Sequence, residues 1–155
     1  MFDLDIVNSF SKATVSIIKN YSDTKISKGD IKIHKNSNHI AGVIVFLGIT
    51  GDLNGRLMFN MSKETSLKLV SILNKEALNT IDDLFISTIK EFSNMVGGKA
   101  ISDLSKRHID LDITVPAILM SDQVFMLEKG GDEILSVEYK TDFGSIFMSL
   151  TLFQD

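Results

Sequence analysis

The chain contains no cysteine, which excludes disulfide bonds and a thiol nucleophile and removes the usual ligands of a structural zinc site. That absence also suits a cytoplasmic protein. Its three histidines, His34, His39 and His108, show no metal-ligand spacing with one another. Long apolar runs are missing too. The longest, Ile40 to Ile49, is interrupted by Gly42 and Gly48 and has the length of a strand, far from the ~20 residues that cross a bilayer. No basic region followed by an apolar stretch opens the chain, so secretion is not expected. Positive charge is not in excess: 16 Lys and Arg stand against 20 Asp and Glu, a net charge of −4, which argues against nucleic acid as the main partner. With one proline in the chain, no linker or low-complexity segment divides it.

What is present is the ordinary composition of a globular domain, 44% hydrophobic and 23% charged, and 155 residues form one domain (1–155) with a proper core. Ile6, Phe10, Ala13 and Ile17 recur at helical spacing and predict a first helix over about 3–20. Ile31 and Ile33 alternate with Lys32 and His34, a strand opened by Gly29-Asp30. Residues 41–49 are apolar on both faces, the mark of a central strand. Leu57, Phe59 and Met61 alternate after a turn at Gly51–Gly55, and a short helix from the N-cap Ser62 runs to about Asn74. Beyond a long helix over 82–105, strands are expected near 111–120, 134–140 and 143–153, with a tight turn at Thr141-Asp142 and a surface loop over Glu128–Glu133. The order is helix and three strands, a helix, then helix and three strands again. Hairpin-joined strands favour an antiparallel α+β sheet, here of six strands, with two long helices and one short one.

The long helix carries the most informative segment, Glu91-Phe92-Ser93-Asn94-Met95-Val96-Gly97-Gly98. Phe85, Ile89, Phe92, Val96 and Ala100 form its apolar stripe. Thr80 or Asp82 can cap its start, and Lys106, Arg107 and His108 complement its carbonyl end. On a wheel of about 100° per residue, Glu91 and Asn94 point to solvent about 60° apart, with Ser87, Gly98 and the isolated apolar Ile101 on the same side. Most glutamates on most helices simply face water, and E-x-x-N alone is a weak pattern. The glycines add weight. Each costs a helix interior roughly 1 kcal/mol relative to alanine, so two in succession suggest that something approaches the backbone closely.

Other constellations carry less. Gly48–Gly55 lacks the Lys-Ser/Thr ending of a phosphate loop and leads into a strand, so it is a hairpin. Asp110 and Asp112 on one strand face read as a solvated edge. Asp5 and Asn8 imitate the acid-x-x-Asn spacing, but Asp5 sits where a first-turn acid complements the helix dipole. No Ser-His-Asp arrangement announces itself.

Residues 91–98, followed by Leu111-Asp112-Ile113-Thr114-Val115-Pro116, together resemble the CheX-type chemotaxis phosphatases, relatives of CheC. So does the upstream block Gly48-Ile49-Thr50-Gly51-Asp52-Leu53-Asn54-Gly55-Arg56-Leu57-Met58-Phe59. The likeness spans nearly the whole chain; departures fall at Leu73–Glu76 and at Met120-Ser121. The resemblance implies a CheC-like fold of duplicated α-βββ halves and a phosphatase acting on the aspartyl phosphate of a CheY-type response regulator. It implies that Asn94 enters the partner's active site to orient the attacking water and that Glu91 docks on the partner's lysine. Ser87, Gly97, Gly98 and Ile101 would line the partner-binding face. The protein would hold no cofactor of its own, Mg²⁺ being carried by the regulator, and would form a homodimer with neither nucleic acid nor membrane as partner. Two rival readings stand beside it: a non-catalytic module that binds a regulator or motility component, and a dimeric structural module whose helix face merely meets solvent.

Overall fold

A computed structural model describes residues 4–35, 37–127 and 132–153. Helix α1 (Leu4–Tyr21) leads into β1 (Ser27–Lys28), β2 (Lys32–Lys35), β3 (Ser37–Gly51) and β4 (Gly55–Met61). Helices α2 (Lys63–Asn74) and α3 (Asp83–Ser105) follow. The chain then finishes with β5 (Leu111–Ile113), β6 (Ala117–Leu127), β7 (Glu133–Thr141) and β8 (Gly144–Leu152). The expected Glu128–Glu133 loop lies mostly outside the described residues.

Every pairing is antiparallel, in the order β1-β7-β8-β4-β3-β5, with β2 continuing the β1 edge on β7 and β6 continuing the β5 edge on β3. The sheet therefore has eight strands among the described residues, not six. One addition is the two-residue β1, paired with Lys140 and Tyr139. The other comes from the expected 111–120 strand, which breaks at Thr114-Val115-Pro116 because proline has no N–H to give a ladder. Each half thus contributes one long helix and four strands. The strand order is symmetric about the β4–β8 pair, β3 answering β7 and the β1/β2 edge answering β5/β6.

The helices cover one sheet face. Val43, Val45, Leu47 and Ile49 of β3 and Leu57, Phe59 and Met61 of β4 meet Phe10 of α1 and Phe85, Ile89, Phe92 and Val96 of α3 in the main core. Phe59 and Phe92 pack edge to face with centroids 5.0 Å apart. On the opposite face Ile40, Ile44 and Met58 form a smaller cluster, so β3 is apolar on both sides as its composition requires.

Caps set the helix limits. The Ser62 hydroxyl accepts from the Thr65 N–H at 3.1 Å, and Asp82 Oδ1 accepts from the Phe85 N–H at 3.0 Å; Thr80 donates to Asp82 instead of capping. Lys106, Arg107 and His108 fall just past the last turn of α3, where Arg107 pairs with Asp103 at 3.3 Å. Among the described residues no helix is long and apolar enough to cross a membrane.

Candidate active site

The candidate site is the outward face of α3. Its inner stripe is fixed by the core, and the helical period then forces Glu91 and Asn94 outward, Glu91 exposed and Asn94 half-buried. Among the described residues neither the Glu91 carboxylate nor the Asn94 carboxamide has a hydrogen-bond or ion-pair partner. Neighbouring hydroxyls are occupied: Ser87 donates to the Leu84 carbonyl at 3.1 Å and Ser93 to that of Lys90 at 2.8 Å. The free polar groups of this face are thus an acid and an amide one turn apart.

Two elements flank the face. On one side lies α1, held to α3 by the Ser9 hydroxyl donating to Asp103 at 2.8 Å and by Tyr21 reaching Met95 Sδ at 3.9 Å. These contacts run α1 antiparallel to α3. The Ser9 hydrogen bond, helped by the Arg107 charge, holds the Asp103 carboxyl below its ordinary value against a smaller opposing effect of burial. On the other side lies β5. A Cβ on Gly97 would stand 3.0 Å from Ile113 Cδ1 and 3.7 Å from Leu47 Cδ2.

The two glycines therefore separate. Gly97 is buried, and what approaches it is the chain's own β5, so it does not line an external docking surface. Gly98 is half-buried, and a Cβ there would meet nothing within 4 Å. Ser87 is exposed on the outward face as expected. Ile101 is half-buried and packs partly against the main core, so it sits at the margin of the face and not at its centre.

The turn between β3 and β4 is a hairpin, with Ile49 opposite Gly55, and it is tied to the α3–β5 connection. Asp52 accepts from the Asp110 N–H at 2.8 Å and returns its own N–H to the Asp110 carbonyl at 2.9 Å. Asp110 and Asp112 are exposed, and Asp5 and Asn8 lie on the first turns of α1, away from the Glu91 face. No group of three or more His, Asp or Glu among the described residues could hold a metal ion. Sequence reasoning missed Val115, which projects at the β5–β6 break with 85% of its surface exposed. The signal was Pro116, which disfavours an unbroken strand.

A two-fold repeated antiparallel sheet backed by paired helices is a CheC-like fold, and here one helix presents an unengaged acid and amide. The CheC-like superfamily protein of Shewanella sp. PV-4 has the same fold, superposing with TM-score 0.88 at 18% identity over 99% of this chain and 100% of that one. Residues 43–140 match the family model described as chemotaxis phosphatase CheX, and the chain belongs to that family. It is 31% identical over 120 residues to the CheY-P phosphatase CheX of Thermotoga maritima, covering 76% of each chain. The CheX of a CheX–CheY–BeF₃–Mg²⁺ complex from Borrelia burgdorferi superposes with TM-score 0.78 at 24% identity, over 98% of this chain and 100% of that one.

Proposed function

We propose that this protein is a phosphatase that hydrolyses the aspartyl phosphate of a CheY-type response regulator, with Asn94 orienting the water and Glu91 docking the partner. The observation that carries the reading is the unengaged Glu91–Asn94 pair on the exposed face of α3, in a chain of the CheX family.

The chemistry asks little of the phosphatase in acid–base terms. Water attacks phosphorus and the bond to the aspartyl oxygen breaks, giving the regulator's carboxylate and inorganic phosphate; the water's protons leave with the phosphate. Such a transition state is loose and depends on positioning and charge stabilisation. A carboxamide offers both a donor and an acceptor, enough to hold one water in line with the leaving carboxylate. Mounting it on a helix fixed by the Phe92 and Val96 side of the core restricts its direction before the encounter. An exposed carboxylate one turn away supplies an ion pair to a lysine beside the phosphoryl group. In this reading Mg²⁺ arrives with the regulator, and Gly98 and Ser87 leave room for the partner's main chain. Both proteins would meet in the cytoplasm.

We also infer a homodimer. Strand β6 is an outer strand whose described pairing is to β3, and Leu119 and Met120 are each 43% exposed on it. An apolar edge of this kind is a template for pairing with a second copy.

The decisive experiment follows dephosphorylation of a CheY-type regulator charged with acetyl phosphate and Mg²⁺, with wild type and Asn94→Ala side by side. Faster decay that is lost in the variant supports the reading. A wild type that binds the regulator without changing its decay rate would instead establish a non-catalytic binding module.

A further inference from the structure

Val115 has the highest exposure, 85%, of any large apolar side chain among the described residues, yet the chain holds it in place from both sides. Thr114 donates its backbone N–H to the Gly48 carbonyl at 2.9 Å, and its hydroxyl accepts from the Gly48 N–H at 2.7 Å. Pro116 is buried with its φ fixed by the ring, and Ala117 is already in register with Phe46. Single exposed apolar residues are common and usually need no explanation. A β-branched one clamped between a doubly bonded threonine and a buried proline is different, because its ordering cost has been met before any contact is made.

Its position follows from the strand direction. The Ile109 N–H bonds the Leu104 carbonyl where α3 ends, and the chain turns back so that β5 runs antiparallel to the helix. Ile113 lies against Gly97. Two residues further along an extended chain is about 6–7 Å, and Asn94 lies about one 5.4 Å turn back from Gly97 and Gly98. That spacing carries the chain toward the Asn94 end of the α3–β5 contact.

We propose that Val115 is a positioning residue for the phosphatase reaction, an apolar anchor that seats in a hollow of the phosphorylated receiver domain while Glu91 and Asn94 engage its polar centre. The occupant is the regulator, because the strand that leads into Val115 packs at Gly97 on the same helix that carries Glu91 and Asn94. The inference rests on the phosphatase reading above. An anchor of this kind binds ground state and transition state alike, so its loss raises KM and leaves kcat in place.

The test measures kcat and KM for acetyl-phosphate-charged regulator with wild type, Val115→Ser and Val115→Ile, alongside thermal unfolding and sedimentation. Expected are a KM raised roughly tenfold in Val115→Ser, corresponding to the loss of a buried valine contact, with kcat within about twofold, an unchanged Tm, and wild-type KM in Val115→Ile. An active wild type with unchanged KM in Val115→Ser overturns the assignment and leaves the phosphatase reading standing. A change of oligomeric state in Val115→Ser also overturns it, since the occupant would then be a second copy of this chain. A wild type inactive on the regulator removes the phosphatase reading and this inference together.

Discussion

A Cβ added to Gly97 would stand 3.0 Å from Ile113 Cδ1, so the glycine is the recess into which strand β5 settles against α3. Its neighbour Gly98 meets nothing within 4 Å. The two should respond oppositely to substitution. Gly97→Val should destabilise the fold by ~1–3 kcal/mol through overpacking. Gly98→Ala should stabilise it by up to ~1 kcal/mol through helix propensity, while slowing dephosphorylation if the regulator's main chain lies there. Urea titration together with the phosphatase assay checks both; a destabilised Gly98→Ala would show that the fold itself needs that glycine.

Asn94 and Glu91 should separate kinetically. Asn94→Ala should lower kcat by roughly 10²–10³ with binding of the BeF₃-activated regulator retained, the scale of removing one preorganised polar group. Glu91→Lys should weaken binding, and the defect should change with ionic strength, as expected of an exposed charge pair. Binding titrations at two salt concentrations beside single-turnover decay distinguish the roles. Two variants indistinguishable from wild type would remove the site from this face.

Alkaline stability should report on Tyr139. Burial pushes its phenol up to about 12, with the hydrogen bonds involving Ser11 and Thr14 opposing that shift. The phenol donates to Ser11 at 2.6 Å. The unfolded chain releases this proton near the ordinary value of 10 while the folded chain keeps it, so stability is constant below pH 10 on this account and falls as pH rises from 10 to about 12. The loss is on the order of 3 kcal/mol. In Tyr139→Phe that part of the slope should vanish, whatever its stability at neutral pH; an unchanged slope would assign the alkaline loss to other groups.

The proposed dimer gives a further expectation. Leu119→Lys places a charge on the outer strand β6, where lysine discourages edge pairing. Sedimentation should shift from dimer toward monomer with the secondary structure by circular dichroism unchanged, since Leu119 is 43% exposed in the protomer. A wild type that is monomeric at high concentration would dismiss the edge-pairing proposal.

The helices were legible because their signals are local. Ser62 and Asp82 mark their starts, and the Phe85–Ala100 stripe defines the buried face of α3 and with it the outward direction of Glu91 and Asn94. Strand β1 was not legible: two residues, Ser27 and Lys28, are strands only because Lys140 and Tyr139 lie beside them. The β5–β6 break was hidden because Leu111, Ile113 and Val115 alternate with polar residues and lead into the apolar Ala117–Met120, which outweighed the single proline. The glycines looked alike in sequence because what distinguishes them, Ile113 and Leu47, comes from other parts of the chain. Ile101 was misplaced for the same reason: a wheel gives an angle from the helix axis, not the width of what packs beside it.

The pairing of Thr50 with Asp112 has a kinetic consequence. Helix α3 closes its bonds between near neighbours and can form within about a microsecond. The strand that walls it must find a partner some sixty residues back along the chain, which is slow because loop closure precedes any reward. A nascent molecule would thus carry its acid–amide pair well before it owns a rigid platform beside it. Competence toward a regulator should appear with the last, non-local step of folding, later than the helical signal in a refolding experiment.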